Sequence, residues 1–177
     1  NIFDELDVVI DLHSLPVGDE VLWISDKNYV DIASKFMDVK DILIDDLSQS
    51  SNLISYCIRN WKMWFGIECW NHSSETWLNS WYNNVINLMK ILWMIEWEIK
   101  RINEPQIYEF LKEIVPQTDD FKYAKEYNNF EKINIWEIYA YAWEWNYTND
   151  YEKDIYIWII NKSINKWVWC WFLFDKK

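Results

Sequence analysis

The chain has 177 residues, 51% of them hydrophobic, and carries a formal net charge of −12. That length and apolar content support a real core in one domain, or in a domain with a small appendage, and argue against disorder. With 17 Lys and Arg against 29 Asp and Glu, the chain lacks the clustered cations with which proteins neutralise phosphates, so nucleic acid and anionic membrane are not expected partners.

Asp7-Val-Val-Ile-Asp-Leu-His13 is a short, β-branched apolar run that reads as a buried strand ending in the loop Ser14 to Gly18. Val21 to Ser25 is expected to be a second strand, Tyr29 to Met37 a helix through Val30, Ala33 and Met37, and Ile42 to Ile44 another strand. Ser50-Ser51 suits the cap of a helix running through Leu53, Ile54, Cys57 and Ile58 to a stop at Asn60-Trp61. Lys62 to Cys69 reads as a buried strand with Glu68 near its end. Glu75 to Leu92 is the strongest helical pattern, with Leu78, Tyr82, Val85, Leu88, Met89 and Leu92 on one expected face.

This alternation of strand and helix predicts an α/β layered fold for residues 1–103. After Asn103-Glu104-Pro105 the text changes to β-branched and aromatic runs: Ile107 to Val115, Phe121 to Tyr123, Ile133 to Tyr141, Ile155 to Ile160 and Val168 to Phe174. Residues 104–177 therefore read as a small all-β, barrel-like domain. Ile107 to Val115 also fits a helix by spacing.

Fifteen residues are Trp and only two, Gly18 and Gly66, are Gly, where ordinary usage would place about 12 glycines in a chain of this length. Trp61 follows a helix-like run, Trp93 closes another, and Trp167 sits in a turn-like stretch. At such places a chain needs a left-handed residue, which glycine supplies without steric cost. The wealth of Asn, Ile, Lys and Tyr against two arginines is the profile of an A+T-rich gene, in which UGA is common and UGG scarce. We expect a gene that uses UGA for glycine where this sequence shows tryptophan, with Trp61, Trp70, Trp93 and Trp136 as glycine sites. A protein with a true aromatic binding surface is the competing expectation.

Cys57, Cys69 and Cys170 lack metal-like spacing and lie in apolar runs, so buried free thiols in a reducing, cytoplasmic setting are expected. No stretch reaches the ~18 uncharged apolar residues of a membrane span. The chain begins at Asn1 and runs at once toward a strand, so the natural N-terminus is expected upstream.

Two histidines, His13 and His72, limit the chemistry. His13 would stand at the C-terminal tip of its strand, where open α/β sheets place ligand sites. Glu68 would reach the same rim if the two strands are parallel neighbours. Spacing alone leaves open a metal ligand with a base, or a hydrogen-bonded structural histidine beside a solvated carboxylate. His72-Ser-Ser-Glu75 has the spacing of a zinc pair, yet it also reads as a helix start with Glu75 in the first turn.

With glycine at the Trp positions, Phe65-Gly-Ile-Glu-Cys-(Gly)-Asn-His-Ser-Ser-Glu75 and the helix ending Ile91-Leu-(Gly) resemble the succinylglutamate desuccinylase/aspartoacylase family of zinc-dependent deacylases, relatives of the zinc carboxypeptidases. Val9-Ile-Asp-Leu-His13-Ser resembles its strand with the third zinc ligand. Phe130 to Tyr141 and Asn165 to Phe174 are similar to its small β-domain. The resemblance implies a zinc-carboxypeptidase-like sheet, Zn2+ as cofactor, His13 as a ligand, Glu68 as general base and acid, and Asp11 as the group orienting His13. It further implies a small N-acyl substrate, which His72 would touch. The family's own His-x-x-Glu pair precedes the Asp-Leu-His strand, and nothing before Asp7 supplies it. His72 and Glu75 come in the wrong order for that role, so the chain looks like the C-terminal two thirds or so of such an enzyme, expected to be inactive alone. A metallocarboxypeptidase is the near alternative, and a non-enzymatic, acidic, aromatic-rich immunity-type protein the distant one.

Overall fold

The structure, a computed structural model, describes residues 2–15, 21–35, 39–44, 53–71, 77–96, 104–143, 145–159 and 171–177. Residues 1–108 and 109–177 form two compact units.

In the first unit, β1 (Val8–Leu15), β2 (Val21–Ser25), β3 (Asp41–Ile44) and β4 (Met63–Asn71) pair in the order β1-β4-β2-β3. β1 runs parallel to β4, β2 antiparallel to β4, and β3 parallel to β2. Near-continuous apolar runs build such strands because both faces of the sheet are covered. The period-2 alternation of strand side chains then divides the sheet into two faces. On one face Val8, Ile10, Leu12, Met63, Phe65, Ile67 and Trp23 pack with Ala33, Leu88 and Ile91. On the other, Val9 and Trp64 pack with Ile54 and Cys57 of α2 (Leu53–Arg59). Gly66 lies between Asp11 and Ile24 in the ladder, where an added Cβ would meet the Ile24 Cβ at 3.4 Å.

Two expectations for this unit are corrected. The helix expected over Tyr29 to Met37 is, in its described part, a 3-10 turn, Lys27–Tyr29, followed by the single helical turn α1 (Val30–Ala33); residues 36 and 37 lie outside the described residues. Asp26 sets its start by accepting a hydrogen bond from the Asn28 N–H at 2.7 Å. α3 (Trp77–Ile91) exists, but Leu78 and Tyr82 of its expected inner face are exposed; among its described side chains the buried ones are Asn84, Asn87 and Leu88, the last of them on the expected face. Ser50, Ser51 and Glu75 lie outside the described residues.

Among the described residues, the regular elements of the second unit are all strands: β5 (Gln106–Ile114), which begins just before it, β6 (Lys122–Tyr123), β7 (Glu131–Ile133), β8 (Ile138–Ala142), β9 (Trp145–Thr148), β10 (Ile155–Ile159) and β11 (Trp171–Lys176). They form the orders β5-β11-β10-β7 and β6-β8-β9 around a core of Ile114, Phe121, Ile133, Tyr139, Ile155, Ile157 and Leu173. The run Ile133 to Tyr141, expected as one strand, is broken by a turn at Asn134–Glu137, and β9 has no counterpart in the sequence reading.

Among the described residues, four non-glycine residues have positive φ: Trp61 (57°), Trp93 (58°), Phe130 (57°) and Trp136 (63°). Trp61 and Trp93 each hold the second position after a helix end, Arg59 and Ile91 respectively. The next N–H returns to the helix, Lys62 to the Cys57 carbonyl and Met94 to the Met89 carbonyl, while Trp61 and Trp93 bond Ile58 and Lys90. Those paired bonds define the helix stop that glycine ordinarily makes. Trp136 is the third residue of the Asn134–Glu137 turn, a position whose positive φ calls for glycine. The three indoles are 91%, 93% and 71% exposed, so they gain little from burial where they are. Trp70 is a strand residue of β4, between Glu68 and Asn71 where the β1–β4 register shifts; Trp167 lies outside the described residues.

Candidate active site

The parallel β1–β4 ladder pairs His13 with Glu68 and Asp11 with Gly66. Alternation therefore puts Asp11, His13 and Glu68 on the same face of the sheet, at the C-terminal end of both strands. Residues 16–20 and 72–76 follow those ends in the chain and lie outside the described residues. The rim expected for His13 and Glu68 is thus formed by direct register.

His13 Nε2 lies 2.9 Å from Asp11 Oδ1, two residues back on the same strand. Burial alone would lower the imidazole's pKa, but the bond to Asp11, reinforced by the negative charges of Asp11 and Glu68, raises it above the ordinary histidine value. Burial pushes the Glu68 carboxyl above the usual glutamate range; Asp11 adds to the rise and His13 opposes it. Glu68 Oε2 is buried without a hydrogen-bond partner, a costly arrangement for a carboxylate that most buried polar atoms avoid. The imidazole remains half exposed.

These residues can hold and move a proton, but they do not complete a metal site. Among the described residues no three His, Cys, Asp or Glu side chains converge on one point. A structural zinc takes four protein ligands and a catalytic one three; this rim offers one imidazole and two carboxylates, one of them already bonded to that imidazole. His72 and Glu75 lie outside the described residues. Cys57 is a buried free thiol whose pKa burial pushes up, while Cys69 is a strand residue of β4 and Cys170 lies outside the described residues.

Sequence reasoning missed one neighbour of the site. The indole Nε1–H of Trp81, on α3, donates to the His13 carbonyl at 3.3 Å. A contact between residues so far apart in the chain has no local signature.

Among the described residues no helix is long and apolar enough to cross a membrane. No protein-family profile matches the chain, and no curated protein matches it in sequence. Solved structures do match. Succinylglutamate desuccinylase from Vibrio cholerae aligns with a TM-score of 0.75 and 14% identity over 94% of this chain and 52% of its own. A succinylglutamate desuccinylase/aspartoacylase from Rhodobacter sphaeroides gives 0.69 and 12%, over 99% and 60%. Murine aminoacylase 3 gives 0.65 and 14%, over 97% and 63%. The chain spans between half and two thirds of the length of these structures, and it has the fold of the succinylglutamate desuccinylase/aspartoacylase enzymes.

Proposed function

We propose that the chain forms part of a zinc-dependent deacylase that hydrolyses the amide or ester bond of an N-acyl amino acid or similar small molecule. The reading rests on the register of His13 with Glu68 at the strand tips, within a fold shared with succinylglutamate desuccinylases. That same rim argues against the immunity-type alternative, which has no use for it.

His13 would be one metal ligand, with donors beyond these residues completing the set. Zinc, when bound, supplies an open coordination position and polarises a carbonyl. Asp11 holds the imidazole by its Nε2 and so fixes which ring nitrogen is left to act. Glu68, with one carboxylate oxygen buried and unbonded, takes the proton of the attacking water as the new C–O bond forms. It then delivers that proton to the leaving amine or alcohol as the acyl bond breaks. A carboxylate raised by burial suits both halves of the transfer, because its basicity moves toward neutral pH. His72 would meet the substrate beyond the rim. The small substrate, the lack of a nucleic-acid partner and a cytoplasmic site belong to the same proposal.

In the native gene product, Glu68→Gln should abolish turnover while zinc content stays near wild type, and His13→Ala should lower zinc content. Turnover within a few-fold of wild type in Glu68→Gln would remove the base assignment.

A further inference from the structure

We propose that Trp81 is a positioning residue that clamps the tip of β1 so that His13 stays opposite Glu68. The inference rests on the deacylase reading for its functional consequence, but its structural half stands apart from it.

The β1–β4 ladder is regular from Val8↔Met63 to His13↔Glu68 and then shifts before Leu15↔Asn71. Where a ladder shifts, the local bonding pattern is interrupted and a carbonyl can lose its strand partner. The carbonyl of His13 lies at that interruption, and the Trp81 indole N–H reaches it at 3.3 Å. The indole is itself fixed, since Trp81 is half-buried against the cluster that contains Phe65, Ile67 and Leu88 and adjoins Ile10 and Leu12. A donor held by packing on a rigid helix is the kind of support that keeps a site residue in place.

The structure therefore treats its tryptophans differently. Positions 61, 93 and 136 demand a left-handed backbone and leave the side chain in solvent. Position 81 lies inside α3, where glycine is a poor helix former, and its side chain reaches the His13 carbonyl. The native protein should carry a genuine Trp81 even where UGA encodes glycine at the other three.

Three measurements on the native gene product test this. Peptide mass spectrometry should show tryptophan at 81; glycine there overturns the proposal. The Trp81 indole N–H, followed by proton NMR in deuterated solvent, should exchange at least tenfold more slowly than the free indole of N-acetyltryptophanamide. Exchange at the free rate overturns the clamp without any variant being made. With an active N-acyl amino acid as substrate, Trp81→Phe should lower kcat about tenfold or more, given how steeply rate depends on placement, with KM nearly unchanged and the exposed Tyr82→Phe as control. A kcat within twofold of wild type overturns the positioning role. A protected indole in a protein with no deacylase activity would sink the functional reading and leave the clamp standing.

Discussion

His13 and Glu68 are register partners in the parallel β1–β4 ladder, and Asp11 binds the His13 ring from the same strand face. The three side chains owe their meeting to strand periodicity alone: one residue, Leu12, separates Asp11 from His13, and the parallel pairing puts Glu68 alongside. An imidazole so held presents one nitrogen outward and keeps the other on a carboxylate. Asp11→Asn preserves the shape but removes the negative charge, so under the proposed zinc-deacylase reading it should weaken zinc binding by about 10- to 100-fold in the native gene product. Competition with a chromogenic chelator measures this, and an unchanged affinity would show that Asp11 does not serve the ring.

The left-handed tryptophans give a prediction about stability. Forcing an L side chain into that region costs about 1–2 kcal/mol, and the exposed indoles at 61, 93 and 136 recover little by burial. Trp61→Gly, Trp93→Gly and Trp136→Gly should each stabilise the chain by about 1 kcal/mol, read as a higher urea midpoint at constant slope. Trp23 and Trp64, 0% and 1% exposed in the core, should behave in the opposite way. Truncating either costs about 3–5 kcal/mol by cavity formation. Stabilisation by glycine at all five positions would contradict the distinction.

The same tryptophans explain which parts of the fold were legible. β1 and β4 stand out in the sequence because a strand buried on both faces is a short, unbroken apolar run, and their tips carried Asp11, His13 and Glu68 with them. Turns are marked chiefly by glycine, and here that punctuation is missing. Ile133 to Tyr141 therefore read as one strand although Trp136 turns the chain between β7 and β8, and the β8–β9 hairpin went unseen. The misplaced face of α3 has another cause. Of the expected face, Leu88 and Leu92 do meet the core, but Leu78 and Tyr82 are exposed and the buried side includes Asn84 and Asn87, so hydrophobicity alone placed the stripe rotated away from the side that packs.

The turns before and after β7 share a design that predicts acid sensitivity. In Asn128–Glu131 and Asn134–Glu137 the final glutamate accepts hydrogen bonds from the backbone N–H and side-chain amide of the first asparagine. Lys125 Nζ lies between the two carboxylates, 2.8 Å from Glu131 and 3.4 Å from Glu137. The bond to Lys125 and then the Asn128 N–H lower the Glu131 pKa, and the Asn134 N–H leads the lowering at Glu137. A depressed carboxylate contributes stability that is present above its unfolded pKa, about 4.3, and is lost as pH falls through the folded value. The melting temperature should therefore drop below about pH 4, and Glu137→Gln should flatten part of that drop while costing stability at neutral pH. An identical acid profile in the variant would remove Glu137 from the linkage.

Asn149 is the strongest single prediction in the second unit. It is fully buried, and its side-chain amide donates to the Ile133 carbonyl at 3.1 Å and the Lys153 carbonyl at 3.0 Å, while its oxygen accepts the Tyr151 N–H at 3.1 Å. Its own backbone pairs with Trp136 and Glu137. One side chain thus satisfies three main-chain groups and joins the turn after β7 to the loop before β10. Each buried group left without a partner costs about 1–3 kcal/mol, so Asn149→Ala should destabilise the chain by about 2–5 kcal/mol after partial hydration of the freed groups. Asn149→Asp tests the donors separately, because a carboxylate retains the bond from Tyr151 but faces two carbonyls it cannot bond. Its loss should exceed that of the alanine variant at neutral pH and shrink as the pH is lowered and the side chain is protonated. Urea unfolding at two pH values resolves both effects, and an Asp variant as stable as wild type would show that the amide's donors are not what holds the turn.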